Sequence, residues 1–194
     1  MDITRLLAIS LGAILVNNFI LVQFLGICPF MGVSEKPDTA IGMGFAVMFV
    51  MTLSSAATSL VYDYLLVRFE LEFLSTIVFI VIIASLVQFI EMFLKKLVPS
   101  LYSALGIYLP LITTNGAVLG AALLNVEEGR GFVESVVFGF AAAIGFTLAL
   151  VIFAGVRARM KYTNTPKSFK GSPIALIAAG LIAMAFAGFS GISL

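Results

Sequence analysis

The side chains able to do chemistry in this chain are few, and they cluster. Cys28 is the one cysteine among 194 residues. It follows two adjacent amides, Asn17 and Asn18, inside an apolar run. A second polar group, Thr113, Thr114 and Asn115, interrupts another apolar run shortly after Pro110. A thiolate is a soft ligand that selects iron–sulfur clusters, zinc or copper. One thiolate holds none of these alone, and it cannot close an internal disulfide. Cys28 is therefore either a small apolar filler or one ligand of a site that other chains complete. Amides inside an apolar run are costly unless they bond a neighbour or line a cavity. The chain has no histidine, so imidazole acid–base catalysis, histidine-bound metals and axial haem ligation by histidine are excluded. It carries no Walker loop, no dinucleotide fingerprint and no nucleic-acid motif.

The elements that must position these residues are membrane helices. The chain is 61% hydrophobic and 11% charged, with a mean hydropathy of +1.17. A soluble domain carries about a quarter charged residues. Charge-free runs cover 6–34, 39–62, 73–90, 97–126, 135–156 and 171–194. A crossing helix needs about 20 apolar residues, so the expected fold is all-α with six transmembrane helices in one membrane domain, 1–194. Runs this long without alternation argue for helices and against a barrel. The third run is short, but Lys95 and Lys96 can snorkel.

Loop charge sets the orientation. Loops after the first, third and fifth spans hold eight of the eleven basic residues, including Arg157, Arg159, Lys161, Lys167 and Lys170. The other side holds Arg5, Arg68 and Arg130 with most of the acids. Both termini are thus expected on the non-cytoplasmic side of a bacterial inner membrane. The start, with Asp2 and only Arg5 for basic charge, reads as a retained span and not as a removed signal.

The two halves echo one another. Met43–Ala46 followed by Thr52–Leu53 recurs as Phe138–Ala141 followed by Thr147–Leu148. Ser75–Ile77 recurs as Ser172–Ile174, and Asn18 corresponds to Asn115. Three spans per half reverse the sense of insertion, so the pattern predicts an inverted repeat, about 1–97 and about 98–194. The longest runs, 6–34 and 97–126, sit in corresponding places, and both are interrupted by polar residues. Matched interruptions predict broken helices whose ends meet near the bilayer midplane. A kinked helix whose amides bond a neighbour is the plainer alternative. Gly116–Gly120 is a small-xxx-small pattern that admits close approach. Ser55–Thr58 reads as a packing feature. Glu91 reads as an interfacial acid paired with Lys95 at i+4.

These stretches also carry a resemblance. Leu15–Ser34, Leu109–Asn115 with Ala117–Gly120, and Phe169–Leu181 are similar to the RnfA family, the A-type subunits of the Rnf complex. The sister family, the E-type subunits of the Na+-translocating NADH:quinone reductase, shares the architecture. The resemblance implies a translocase component, not an enzyme by itself, coupling electron transfer between ferredoxin and NAD to Na+ or H+ movement. It implies partners: the other Rnf subunits, chiefly the homologous E-type subunit and the flavin-carrying membrane subunits. It implies an intramembrane iron–sulfur cluster, expected as [2Fe–2S], shared with the E-type partner, and neither flavin nor haem on this chain. Cys28 matches the first of two expected ligands. The second falls where this chain has Gly116. The site-shaping residues would be Asn17, Asn18, Thr113, Thr114 and Asn115. The non-redox alternative is a secondary transporter or channel component that binds an ion at the paired breaks.

Overall fold

The computed structural model describes residues 3–69, 72–97, 110–163 and 166–188. Among these, every regular element is helical. The order is α1 (Ile3–Leu11), a π-helical turn (Gly12–Val16), α2 (Ile27–Val33), α3 (Pro37–Val61) with a second π-helical turn (Tyr62–Leu66), α4 (Ser75–Leu97), α5 (Pro110–Thr113), α6 (Gly116–Glu127), α7 (Phe132–Met160) and α8 (Ser172–Ala187). Three stretches are long and apolar enough to cross a membrane: Pro37–Leu66, Ser75–Phe93 and Phe132–Met160. Shorter apolar helices occupy Thr4–Val16 and Ser172–Ala187. The early part of the run 97–126 lies outside the described residues.

Local chemistry explains the long helices' ends. α3 starts with Pro37 after an extended Lys36, and Asp38 sits in its first turn. Proline is pre-set for a first helical position, and an acid there suits the positive end of the helix dipole. α7 has Glu134 in its first turn and Arg157 and Arg159 in its last, the same complement at both ends. α4 continues past the charge-free run 73–90 and takes Lys95 and Lys96 into its last turn.

The core is the α3–α7 pair. Fully buried Met43, Val47 and Met51 of α3 and Phe146, Leu150 and Phe153 of α7 belong to one apolar cluster. Two glycines let the backbones approach. A Cβ at Gly44 would collide with Thr147, and one at Gly139 would collide with Ser55. Numbering rises along one helix as it falls along the other, so the pair is antiparallel. Gly44 and Gly139 stand at the same place in the two matching sequence stretches, and each receives a hydroxyl residue of the opposite helix. Ser55 is therefore a packing residue, and Thr58 donates to the Ser54 carbonyl at 2.7 Å.

The other elements pack in matching exchange. α1 and its π-helical turn lie on α7, whereas α6 lies on α3; α8 touches the first π-helical turn, whereas α4 touches α6. An arginine closes each end of α7. Arg130 lies over the Phe138 ring, 3.8 Å from its centroid, and donates to Asn125 Oδ1 at 3.2 Å. Burial pushes its guanidinium below the ordinary arginine value, and Glu128 opposes that shift. At the far end Arg157 lies over Phe153, and Phe153 stacks on Phe30 with centroids 4.2 Å apart.

Overfilling the α3–α7 contact is expected to destabilise the chain. Gly139→Leu and Gly44→Leu should each cost about 1–3 kcal/mol or more, seen as a lower thermal midpoint of the detergent-solubilised protein. Gly155→Ala, where nothing lies within 4 Å of the added carbon, should leave the midpoint unchanged or raise it.

Candidate functional site

The first interruption is a true break in the helix. The chain leaves helical geometry at Asn17, whose N–H still bonds the Gly12 carbonyl at 2.8 Å, and returns to it only at Ile27. Asn18 organises the non-helical stretch. Its Oδ1 accepts from the N–H groups of Ile20 at 3.1 Å and Leu21 at 3.4 Å. Its Nδ2 donates across to the Gly145 carbonyl at 2.8 Å. Asn18 is wholly buried, so it satisfies backbone groups that no water reaches. Gly145 is glycine for a related reason. A Cβ there would lie 3.0 Å from the Ile14 carbonyl oxygen and 3.1 Å from that of Ala13. The π-helical turn and α7 thus meet backbone to backbone at the bond that Asn18 makes.

The second interruption repeats the first in miniature. α5 ends at Thr113, and Thr114 is exposed, its hydroxyl 3.3 Å from the Pro110 carbonyl. Asn115 is extended and caps α6, accepting from the Ala117 N–H at 3.0 Å. Both asparagines therefore use Oδ1 to hold the amide two residues on. They differ at the other end of the side chain. Asn115 is only 3% exposed, and its Nδ2 has no hydrogen-bond partner among the described residues.

The two breaks touch. Gly26 has φ +81°, the left-handed region that favours glycine. A Cβ on it would also lie 2.8 Å from Asn115 Oδ1 and 2.8 Å from Phe146. Leu25 reaches over to the start of α6. Its side chain lies 3.4 Å from the Cβ position of Gly116 and 2.6 Å from that of Gly120. The small-xxx-small pattern of α6 therefore receives a leucine from the first break. Phe24, at φ +57°, is a non-glycine residue in left-handed geometry, a strained choice just before this contact.

Cys28 stands in the first turn of α2, two residues beyond Gly26, and its side chain is exposed. Gly116 is the first residue of α6. Both positions lie at the starts of helices that face one another through Leu25, Gly26 and Asn115. A Cβ at 116 meets only ordinary contacts, the nearest being Leu25 at 3.4 Å, so the site has room for a side chain that it does not carry. Asn17 and Thr114 are exposed, Thr113 is half-buried, and Asn18 and Asn115 are buried. The polar residues named from sequence thus divide into two buried organisers and three peripheral ones. Sequence reasoning did not single out Gly145 or Leu25. Gly145 sits in an ordinary-looking helix, and Leu25 carries no polar signal.

The asymmetry between the asparagines predicts unequal costs. Asn115→Ala should remove a cap worth about 1 kcal/mol. Asn18→Ala should leave the buried Ile20 and Leu21 amides without their acceptor and remove the cross-helix bond to Gly145, for about 2–4 kcal/mol in all. Thermal midpoints of the two variants in the same detergent provide the comparison.

A model of the family described as "Rnf-Nqr subunit, membrane protein" matches residues 6–193. The chain is 57% identical over 187 residues to the A-type component of an "Ion-translocating oxidoreductase complex" of Azoarcus sp. (strain BH72), covering 96% of this chain and 97% of that one. It is 56% identical over 188 residues to a protein of the same name from Syntrophotalea carbinolica, covering 97% of each. It is 57% identical over 189 residues to the A-type component of the "Na(+)-translocating ferredoxin:NAD(+) oxidoreductase complex" of Acetobacterium woodii, covering 97% of this chain and 98% of that one. With nearly its whole length matched, the chain belongs to the Rnf–Nqr family of membrane subunits.

Proposed function

We propose that this chain is the A-type membrane subunit of an Rnf complex, where it serves a ferredoxin:NAD+ oxidoreductase that moves Na+ or H+ across a bacterial inner membrane. The observation that carries this reading is its likeness, end to end, to the A-type components of such complexes. The name of the Acetobacterium woodii relative specifies Na+.

The architecture is read as six crossings in two inverted halves, with both termini on the non-cytoplasmic side. Three features support it: the exchanged packing of corresponding elements, the antiparallel α3–α7 pair with its matched glycines, and the basic residues concentrated in alternate loops. Two broken helices in contact then form the centre about which the halves rearrange, as in transporters that alternate access. The partner facing this centre is the homologous E-type subunit, with the flavin-carrying subunits beside it.

For a shared [2Fe–2S] cluster, the ligand set of this chain is one thiol. Four protein ligands are the rule for such a cluster. Among the described residues no three His, Cys, Asp or Glu side chains stand together to hold a metal. Cys28 is exposed at a helix start, where a partner chain can reach it. Gly116 has the space for a second ligand and none of the chemistry. The residues present fit a one-thiolate share completed by other chains, and they do not fit a two-thiolate share. A cluster bound here would supply one-electron transfer. What this chain does by itself is hold the two helix starts together, through Asn18, Gly26 and Asn115, and bury that contact from water.

Iron content and electron paramagnetic resonance of the assembled complex test the reading. Cys28→Ser should lower the intramembrane iron and its signal while assembly, followed by size-exclusion chromatography, is retained. Gly116→Cys should raise iron occupancy or shift the signal. Unchanged iron in both variants, with ion transport intact, would remove Cys28 from the redox path and leave a non-redox transporter as the better account.

A further inference from the structure

The basic end of the molecule contains a built hollow that the redox reading does not use. Where α7 ends and α8 begins, a cavity of about 360 Å³ is lined by Glu35, Arg157, Lys161, Lys170, Gly171 and Ile174. Three cations there face one carboxylate, so the hollow favours an anion. Arg157 is fixed in place. It donates to the Met31 carbonyl and the Ser34 hydroxyl, both at 2.7 Å, and lies 3.4 Å from Glu35 Oε1. Lys161 donates to the Glu35 backbone carbonyl at 3.3 Å. The first turn of α8 forms another wall, and no side chain caps that helix, so its positive end adds to the field.

A second hollow lies one to two turns along α8. It is an apolar cleft of about 110 Å³ lined by Leu21, Phe24, Ile27, Phe30, Leu176 and Gly180. Ile174 and Ala175 line the cationic cavity, and Leu176, Ala179 and Gly180 line the apolar cleft, so one helix joins the two. Beyond it the outer face of α8 stays apolar and exposed at Leu181 and Met184. A cationic cup at the end of a helix bundle, continued by a greasy slot down the same helix, has the polarity of a phospholipid. Free phosphate would fill the cup and leave the slot empty.

We propose that these two hollows seat one anionic phospholipid, its phosphate among Arg157, Lys161 and Lys170 and one acyl chain along α8. Basic pockets between helices at a membrane surface are suited to anionic headgroups. The acyl chain then packs on Phe24 and Ile27, so that the lipid wedges α8 against the strained stretch that leads to Cys28.

The test counts lipid bound to the assembled, delipidated complex by native mass spectrometry. Phosphatidylglycerol, phosphatidylcholine and inorganic phosphate are titrated separately. The wild-type complex should take up one phosphatidylglycerol more tightly than phosphatidylcholine. Removing two charges in Lys161→Gln/Lys170→Gln should weaken that binding about 30-fold. Gly180→Leu, at a position with nothing within 4 Å of the added carbon, should weaken it by filling the slot. Equal binding of both lipids, or no effect of either variant, would overturn the proposal. So would a Gly180→Leu complex that binds phosphatidylglycerol and inorganic phosphate as the wild type does, which would mark an anion site without an acyl seat. Loss of another subunit from the lysine variant with its lipid retained would identify the cup as a protein interface and refute the lipid.

Discussion

A helix that breaks inside apolar surroundings leaves N–H and C=O groups with no water to take them, and the rest of this structure depends on how that demand is met. Asn18 meets it by caging two amides of the break with one oxygen and reaching the Gly145 carbonyl with its nitrogen. The reach is possible only because α7 presents a bare backbone at Gly145. That closeness in turn requires α7 to be long and tightly paired with α3, which Gly44 and Gly139 allow. The packing of the core and the opening of the first helix are thus two sides of one constraint. The α3–α7 pair supplies a rigid wall, and the broken helix uses that wall as its hydrogen-bond partner.

The positions of the breaks are legible in the sequence because polarity betrays them. Asn17–Asn18 and Thr113–Asn115 carry the only amides of the two longest charge-free runs apart from Gln23 and Asn125, and the helices do stop there. The long helices are legible from charge, since Asp38, Glu134, Arg157 and Arg159 sit at helix ends. The extent of the first break is not legible. Residues from Ile20 to Leu25 are nearly as apolar as any helix, and the left-handed backbones of Phe24, at φ +57°, and Gly26, at φ +81°, show why the chain stays unwound so far beyond Asn18. Charge alone also understates α4, because lysines at a helix end need not terminate it. Of the six expected spans, three stand as long apolar helices. The run 6–34 does not, since the break at Asn17 leaves only the shorter apolar helix Thr4–Val16.

Arg157 shows another limit of reading by composition. In the sequence it is one of several basic residues in a loop, and topology alone accounts for it. In the fold it ties the end of α7 to the carbonyl of Met31 and the hydroxyl of Ser34, so the segment carrying Cys28 is clamped at its far end by an ionised side chain. A charged hydrogen bond to a backbone carbonyl is stronger than a neutral one, and this one sets the position of α2 without touching the thiol. Nothing in the spacing of residues 31, 34 and 157 announces that contact, because it is made across more than half the chain.

The two halves of the molecule share one pattern and differ where chemistry would matter. Both asparagines keep the same Oδ1 cap to the amide two residues on, which is the structural part of the pattern. Only Asn18 has the cross-helix bond. Asn115 holds a buried Nδ2 without an acceptor among the described residues, and the next residue is a glycine where a side chain would fit. Among the described residues, the first break is therefore tied across to α7 by its asparagine, and the second is not. The open space of the second lies beside Leu25 and Gly26, two residues before the one thiol of the chain.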